Sequence, residues 1–107
     1  MKSKTFPHEW TQKEFLEHKN RLEKEGKKVL LIDTILSPIE KTDSVVYNPF
    51  ELHKEDEDTV FVFYCDTGKN TKNRLNEYRK KFPKNLCISL KGGKGYWRTN
   101  MKLLESE

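Results

Sequence analysis

No stretch of this sequence approaches the roughly 18 consecutive apolar residues that a membrane-spanning helix needs. Lys2 and Lys4 stand near the start, but no apolar segment of the kind found in secretory leaders follows them. A cytoplasmic protein is therefore expected, with no membrane partner. Cysteine is scarce: Cys65 and Cys87 are the only two, too few for a disulfide framework. Repeats and low-complexity segments are absent. At 107 residues the chain has room for one domain, expected to span residues 1–107. Charged residues make up 36% and apolar residues 34%, so a small core under a highly charged surface is expected.

Three kinds of site are also missing. A P-loop built on Gly68 and Lys69 would need Gly at position 63 and Ser or Thr at position 70. Phe63 and Asn70 stand there. The two cysteines and three histidines lack metal-ligand spacing, so no zinc site is expected. A cysteine phosphatase needs an Arg six positions after its cysteine, to fork onto the phosphate. Thr71 occupies that position.

What is present centres on residues 59–71, TVFVFYCDTGKNT. Val60, Phe61, Val62, Phe63 and Tyr64 are β-branched or aromatic and predict a strand buried on both faces, as in a parallel sheet. Cys65 falls where that strand ends. Asp66, Thr67, Gly68, Lys69, Asn70 and Thr71 form a compact polar loop. Leu75, Tyr78 and Phe82 then recur at helical spacing. Ligand sites in open α/β sheets lie at the carboxyl ends of strands. Backbone N–H groups at the start of a helix have no intrahelical partner. A thiol placed there is expected to have a depressed pKa.

The other segments read as scaffold. Thr11 and Glu14 have capping-box spacing, Trp10 and Phe15 fit a hydrophobic staple, and Gly26 is a natural stop, predicting a helix over 12–25. His8 and His18 are expected at the surface. Val29–Asp33 predicts a second buried strand. Asp33, at its end, either caps a loop or braces the Cys65 loop. Residues 36–43 read as loop, 44–47 as a short strand, 50–52 as a helical turn and 53–58 as a charged connection. Leu86–Leu90 predicts a fourth strand, followed by Gly92, Gly93 and a final helix that includes Met101 and Leu104. The alternation predicts an α/β fold: a small, mostly parallel sheet of four to five strands flanked by helices.

Net charge is +4, and the positive charge concentrates between Lys69 and Lys84. That stretch is either a solvated helix face or a field attracting an anionic substrate or an acidic partner protein. No nucleic-acid motif accompanies it, so nucleic acid is not an expected partner. A strand-end thiol among backbone amides, with no general base in sequence reach, suits attack on a polarised sulfur. The product is a persulfide whose anionic terminal sulfur the loop N–H groups can hold. In this spacing Gly68 lets the loop turn, and Thr71 is expected to cap the helix after it.

FVFYCDTGKNT followed by LCISLKGGKGYW resembles the second half of a rhodanese-like domain. That half pairs a Cys-x-x-Gly-x-x-Ser/Thr loop with Leu-x-Gly-Gly and a nearby Trp, here Cys65, Gly68 and Thr71 with Leu90, Gly92, Gly93 and Trp97. LLIDT resembles the family's earlier strand, Asp33 matching its usual Asp, and Tyr47-Asn48-Pro49 loosely resembles its Asn-Ile-Pro segment. The resemblance implies sulfur transfer through a persulfide on Cys65, a substrate cradle from Asp66 to Thr71, and no metal or organic cofactor. It implies a thiosulfate or persulfide donor and a cyanide, thiol or protein acceptor. The chain departs from the pattern at Ile35, where the family usually has Arg, and in SPIEKTDSVVY, which replaces a longer first half. Asp66 puts a negative charge beside the cysteine, and Lys69 is placed to offset it. Two functions stand: a sulfurtransferase or persulfide carrier, or a rhodanese-like interaction module with little turnover.

Overall fold

The computed structural model describes residues 9–37, 39 and 42–97. Its order is β1 (Glu9–Trp10), α1 (Gln12–Lys24), β2 (Val29–Asp33), β3 (Val45–Val46), α2 (Pro49–Leu52), β4 (Val60–Tyr64), α3 (Lys69–Asn73), α4 (Leu75–Lys81) and β5 (Cys87–Leu90). Residues 93–97 are helical as well. The sheet order is β1-β5-β4-β2-β3, and each neighbouring pair is parallel. This is a small α/β fold, and the expected parallel sheet has five strands among the described residues.

The apolar runs explain the order. All five residues of β4 and all four of β5 are buried. These strands therefore lie inside the sheet, covered on both faces. Alternation of side chains across β4 divides the core in two. Val60, Val62 and Tyr64 join Trp10, Phe15, Ile88 and Trp97 on one face. Phe61 and Phe63 join Leu75, Tyr78, Phe82 and Cys87 on the other. Phe63 and Tyr78 stack with ring centroids 4.0 Å apart and planes 6° from parallel, and Phe82 meets Phe61 edge-on at 5.2 Å. Burying a side chain such as Phe63 contributes about 1.5–3 kcal/mol. Removing it would unseat α4.

Helix α1 starts where the capping box places it. Thr11 Oγ1 accepts from the Glu14 N–H at 3.1 Å, and Glu14 Oε1 accepts from the Thr11 N–H at 2.9 Å. The bond from the Thr11 backbone lowers the Glu14 pKa. Trp10 lies in β1, beside Leu90 of β5. The sequence reading assigned it only to the helix start, because two strand residues give no periodicity. The basic stretch forms two helices, broken at Arg74 (φ −93°, ψ 1°). Arg79 within it donates to the Cys87 carbonyl at 3.2 Å, so part of that charge is structural. Met101, Leu104, His8, Lys2 and Lys4 lie outside the described residues. Among the described residues no helix is long and apolar enough to cross a membrane.

The register fixes the cysteines. Phe61 stands beside Cys87 and Phe63 beside Ser89. Cys65 follows the last residue of β4, so it lies about four residues, on the order of 13 Å, along the strands from Cys87. Both thiols are free. Burial pushes the Cys87 pKa up to about 11, offset in part by Arg79.

Candidate functional site

Parallel strands bring three segments together at their carboxyl ends: residues 34–37 after β2, 65–68 after β4 and, after β5, residues 91–95, where the last helix begins. Thr34 grips the end of β4. Its N–H and its hydroxyl both donate to the Tyr64 carbonyl, at 3.2 and 2.7 Å. Asp33, buried to 1% exposure, accepts from the Ile35 N–H through Oδ1 at 2.8 Å. It caps its own loop and also lies against Tyr64 of β4, while Thr34 bonds the end of that strand. The sequence reading missed Thr34 because a threonine after a strand carries no periodic signal.

The turn from Cys65 to Gly68 aims backbone donors at the sulfur. Gly68 has φ +87°, a left-handed conformation that suits glycine. Its N–H donates to Cys65 Sγ at 3.0 Å. Thr71, buried to 1%, places Oγ1 3.7 Å from the sulfur. Thr71 sits inside α3, whose N-cap is Gly68 with no side-chain cap bond. It therefore does not cap that helix; its hydroxyl faces inward and bonds to Ser89 Oγ at 2.7 Å. Burial pushes the Cys65 pKa up, but bonds from the Thr71 N–H and hydroxyl and the Gly68 and Thr67 N–H groups pull harder, so the net shift is downward.

The double glycine after β5 holds this turn from outside. Gly93 has φ +60°, and a Cβ there would overlap the Cys65 carbonyl oxygen and lie 2.8 Å from the Asp66 carbonyl. The close approach lets the Lys94 N–H reach the Cys65 carbonyl at 2.8 Å and the Gly95 N–H reach the Asp66 carbonyl at 3.0 Å. The Asp66 carbonyl shares its peptide group with the Thr67 N–H, one of the groups that lower the Cys65 pKa, so tying that carbonyl outward helps fix the turn around the sulfur. Ser37 links the first and third loops: Tyr64 donates its hydroxyl to the Ser37 carbonyl at 2.8 Å, and Lys94 Nζ donates to the Ser37 hydroxyl. Burial is the main cause that pushes the Tyr64 pKa up to about 12.

Cys65, Gly68 and Thr71 thus come together around one sulfur atom. Asp66, Thr67, Lys69 and Asn70 are exposed on the outer side of the loop. Thr67 Oγ1 accepts from the Lys69 N–H at 3.4 Å. A groove of about 470 Å³ runs beside this outer side, lined in part by Thr67, Lys69, Lys72, Lys91, Tyr96 and Glu9. Glu9 pairs with Lys72 at 3.8 Å. Ser89, fully buried in β5, was not singled out from the sequence. The available signal was a hydroxyl inside an otherwise apolar run, since a buried hydroxyl needs a partner. Among the described residues no group of three or more His, Cys, Asp or Glu is arranged to hold a metal ion.

No protein-family model matches this chain, and neither the curated proteins nor the solved structures yield a significant match.

Proposed function

We propose that the protein is a rhodanese-like sulfurtransferase or persulfide carrier working through Cys65. The observation that carries this reading is the sulfur's setting: a strand-end sulfur that accepts from the Gly68 N–H and lies 3.7 Å from the Thr71 hydroxyl, with its pKa lowered despite burial. In the first half-reaction the Cys65 thiolate attacks the outer sulfur of a donor. A new S–S bond forms, and the donor's own bond to that sulfur breaks. Its electron pair leaves with sulfite if the donor is thiosulfate, or with a thiolate if it is a persulfide. The outer sulfur of the Cys65 persulfide then carries the charge. In the second half-reaction an acceptor thiolate or cyanide attacks that sulfur, and the Cys65 thiolate departs. Neither half-reaction needs a metal or an organic cofactor. The thiol must start reduced, which fits a cytoplasmic setting.

The groove with Lys69, Lys72 and Lys91 supports an anionic donor or an acidic partner protein docking beside the loop. One observation favours the second reading, an interaction module with little turnover: Cys65 is only 1% exposed. A donor must then shift the loop to reach the sulfur. Turnover assays separate the two readings. Thiocyanate release from cyanide is followed with thiosulfate or a small-molecule persulfide as donor, for wild type and Cys65→Ser. Release by wild type that the serine variant abolishes supports sulfur transfer. Equal background rates from both would leave the interaction module.

A further inference from the structure

The buried hydroxyl of Ser89 has no part in the mechanism above, yet it sits one group away from the sulfur. It lies 2.7 Å from Thr71 Oγ1 and 3.5 Å from the Gly68 carbonyl. Thr71 Oγ1 lies 3.3 Å from that same carbonyl and 3.7 Å from Cys65 Sγ. The carbonyl also takes the Lys72 N–H at 3.1 Å. Each hydroxyl carries a single hydrogen, so these contacts cannot all be made at once.

We propose that Ser89 is a positioning residue that turns the Thr71 hydroxyl onto the Cys65 sulfur. The inference rests on Cys65 working as a thiolate. An ionised sulfur only accepts. Thr71 then gives its hydrogen to the sulfur, and Ser89 gives its own to Thr71 Oγ1. With Cys65 protonated the chain runs the other way: the thiol donates to Thr71, which donates to Ser89 or to the Gly68 carbonyl. The two arrangements depend unequally on Ser89. Without it the thiol arrangement still has the Gly68 carbonyl as acceptor for Thr71. The thiolate arrangement loses the Ser89 donor that fixes Thr71. Removing the Ser89 hydroxyl therefore raises the Cys65 pKa.

Other titratable and charged groups stand around the sulfur. Asp66 and Lys69 are on the loop, Asp33 ends β2, Lys94 follows β5, Arg74 joins α3 to α4, and Tyr78 of α4 has a pKa raised mainly by burial and slightly by Cys65. Ser89→Ala changes none of them.

The test is a pH titration of thiolate absorbance, each variant corrected against its Cys65→Ser counterpart. Ser89→Ala is expected to raise the Cys65 pKa by about half a unit or more, the size of one modest hydrogen bond. Ser89→Thr keeps the hydroxyl and is expected to restore the wild-type value. In a Thr71→Val background Ser89→Ala should shift nothing further, because Ser89 acts through Thr71. An unchanged pKa in folded Ser89→Ala, or an equal rise in the Thr71→Val background, overturns the inference. A shift that behaves as expected in a protein that loads no sulfur upholds the Ser89 role and removes the sulfur-transfer function instead.

Discussion

Replacing Gly93 by alanine should damage both the fold and the sulfur site, by an amount that can be worked out. Gly93 holds φ +60°, which costs a non-glycine residue about 1–2 kcal/mol. The added Cβ would overlap the Cys65 carbonyl oxygen and crowd Asp66, so the two backbones must part. That breaks the bonds from the Lys94 and Gly95 N–H groups, each contributing about 0.5–1.5 kcal/mol. Together the expected loss is about 2–5 kcal/mol. With a urea m-value of about 1.5 kcal/mol/M, the unfolding midpoint falls by more than about 1 M. Gly26→Ala is the control. Gly26 has φ +85°, but a Cβ there meets nothing within 4 Å, so only backbone strain of about 1–2 kcal/mol is added. If the turn moves away, its N–H groups leave the sulfur, and the Cys65 pKa should rise toward the ordinary thiol value. Urea melts and a thiolate titration of both variants read the two effects. A Gly93→Ala protein no less stable than Gly26→Ala, with an unshifted Cys65, would refute the role given to the double glycine.

Further outcomes are expected. Asp66→Asn should lower the thiosulfate KM several-fold and Lys69→Ala should raise it, most clearly at low salt where screening is least; an unchanged or higher KM in Asp66→Asn would mean that the carboxylate does not meet the donor. Cys87→Ser should leave sulfur loading intact, as read by intact mass; a Cys65–Cys87 disulfide in folded protein would contradict the strand register. Stability should decline between about pH 8.5, where a free thiol ionises in the unfolded chain, and 11, because folded Cys87 keeps its proton while the unfolded one releases it; urea midpoints across that window should decline less in Cys87→Ala. The lowered Cys65 pKa acts with the opposite sign, adding stability above pH ~8.5 that fades as pH falls through its folded pKa; Cys65→Ser should lack this component. Thr11→Ala removes the α1 capping box and should cost about 1 kcal/mol by thermal or urea melting.

Strands β2, β4 and β5 and helix α1 were legible in the sequence because each carries its own local signal. Apolar runs bounded by turn residues mark β2, β4 and β5, and the Thr11–Glu14 spacing marks the α1 start. Strand β1 was not legible. Glu9 and Trp10 form a strand only because β5 lies beside them, and nothing in two residues announces a partner some 80 positions away. The site divides in the same way. Gly68 and Cys65 could be placed from the loop alone. Thr71 was assigned to a helix cap, whereas its hydroxyl turns inward to Ser89, a contact that exists only once β4, β5 and α3 are packed together. Thr34 and the Lys94 and Gly95 amides act through backbone atoms or across loops, so their residue types carry little of the information. The double glycine was visible as a motif, but its reason, close approach to Cys65 and Asp66, is tertiary.

The most direct measurement is the intact mass of the purified, reduced protein after exposure to a small-molecule persulfide or thiosulfate, with peptide mapping of the added sulfur. One extra sulfur atom is expected, located on Cys65, removed by cyanide or a thiol acceptor and absent from Cys65→Ser. Wild-type protein that gains no sulfur from either donor, or gains it on Cys87, would contradict it.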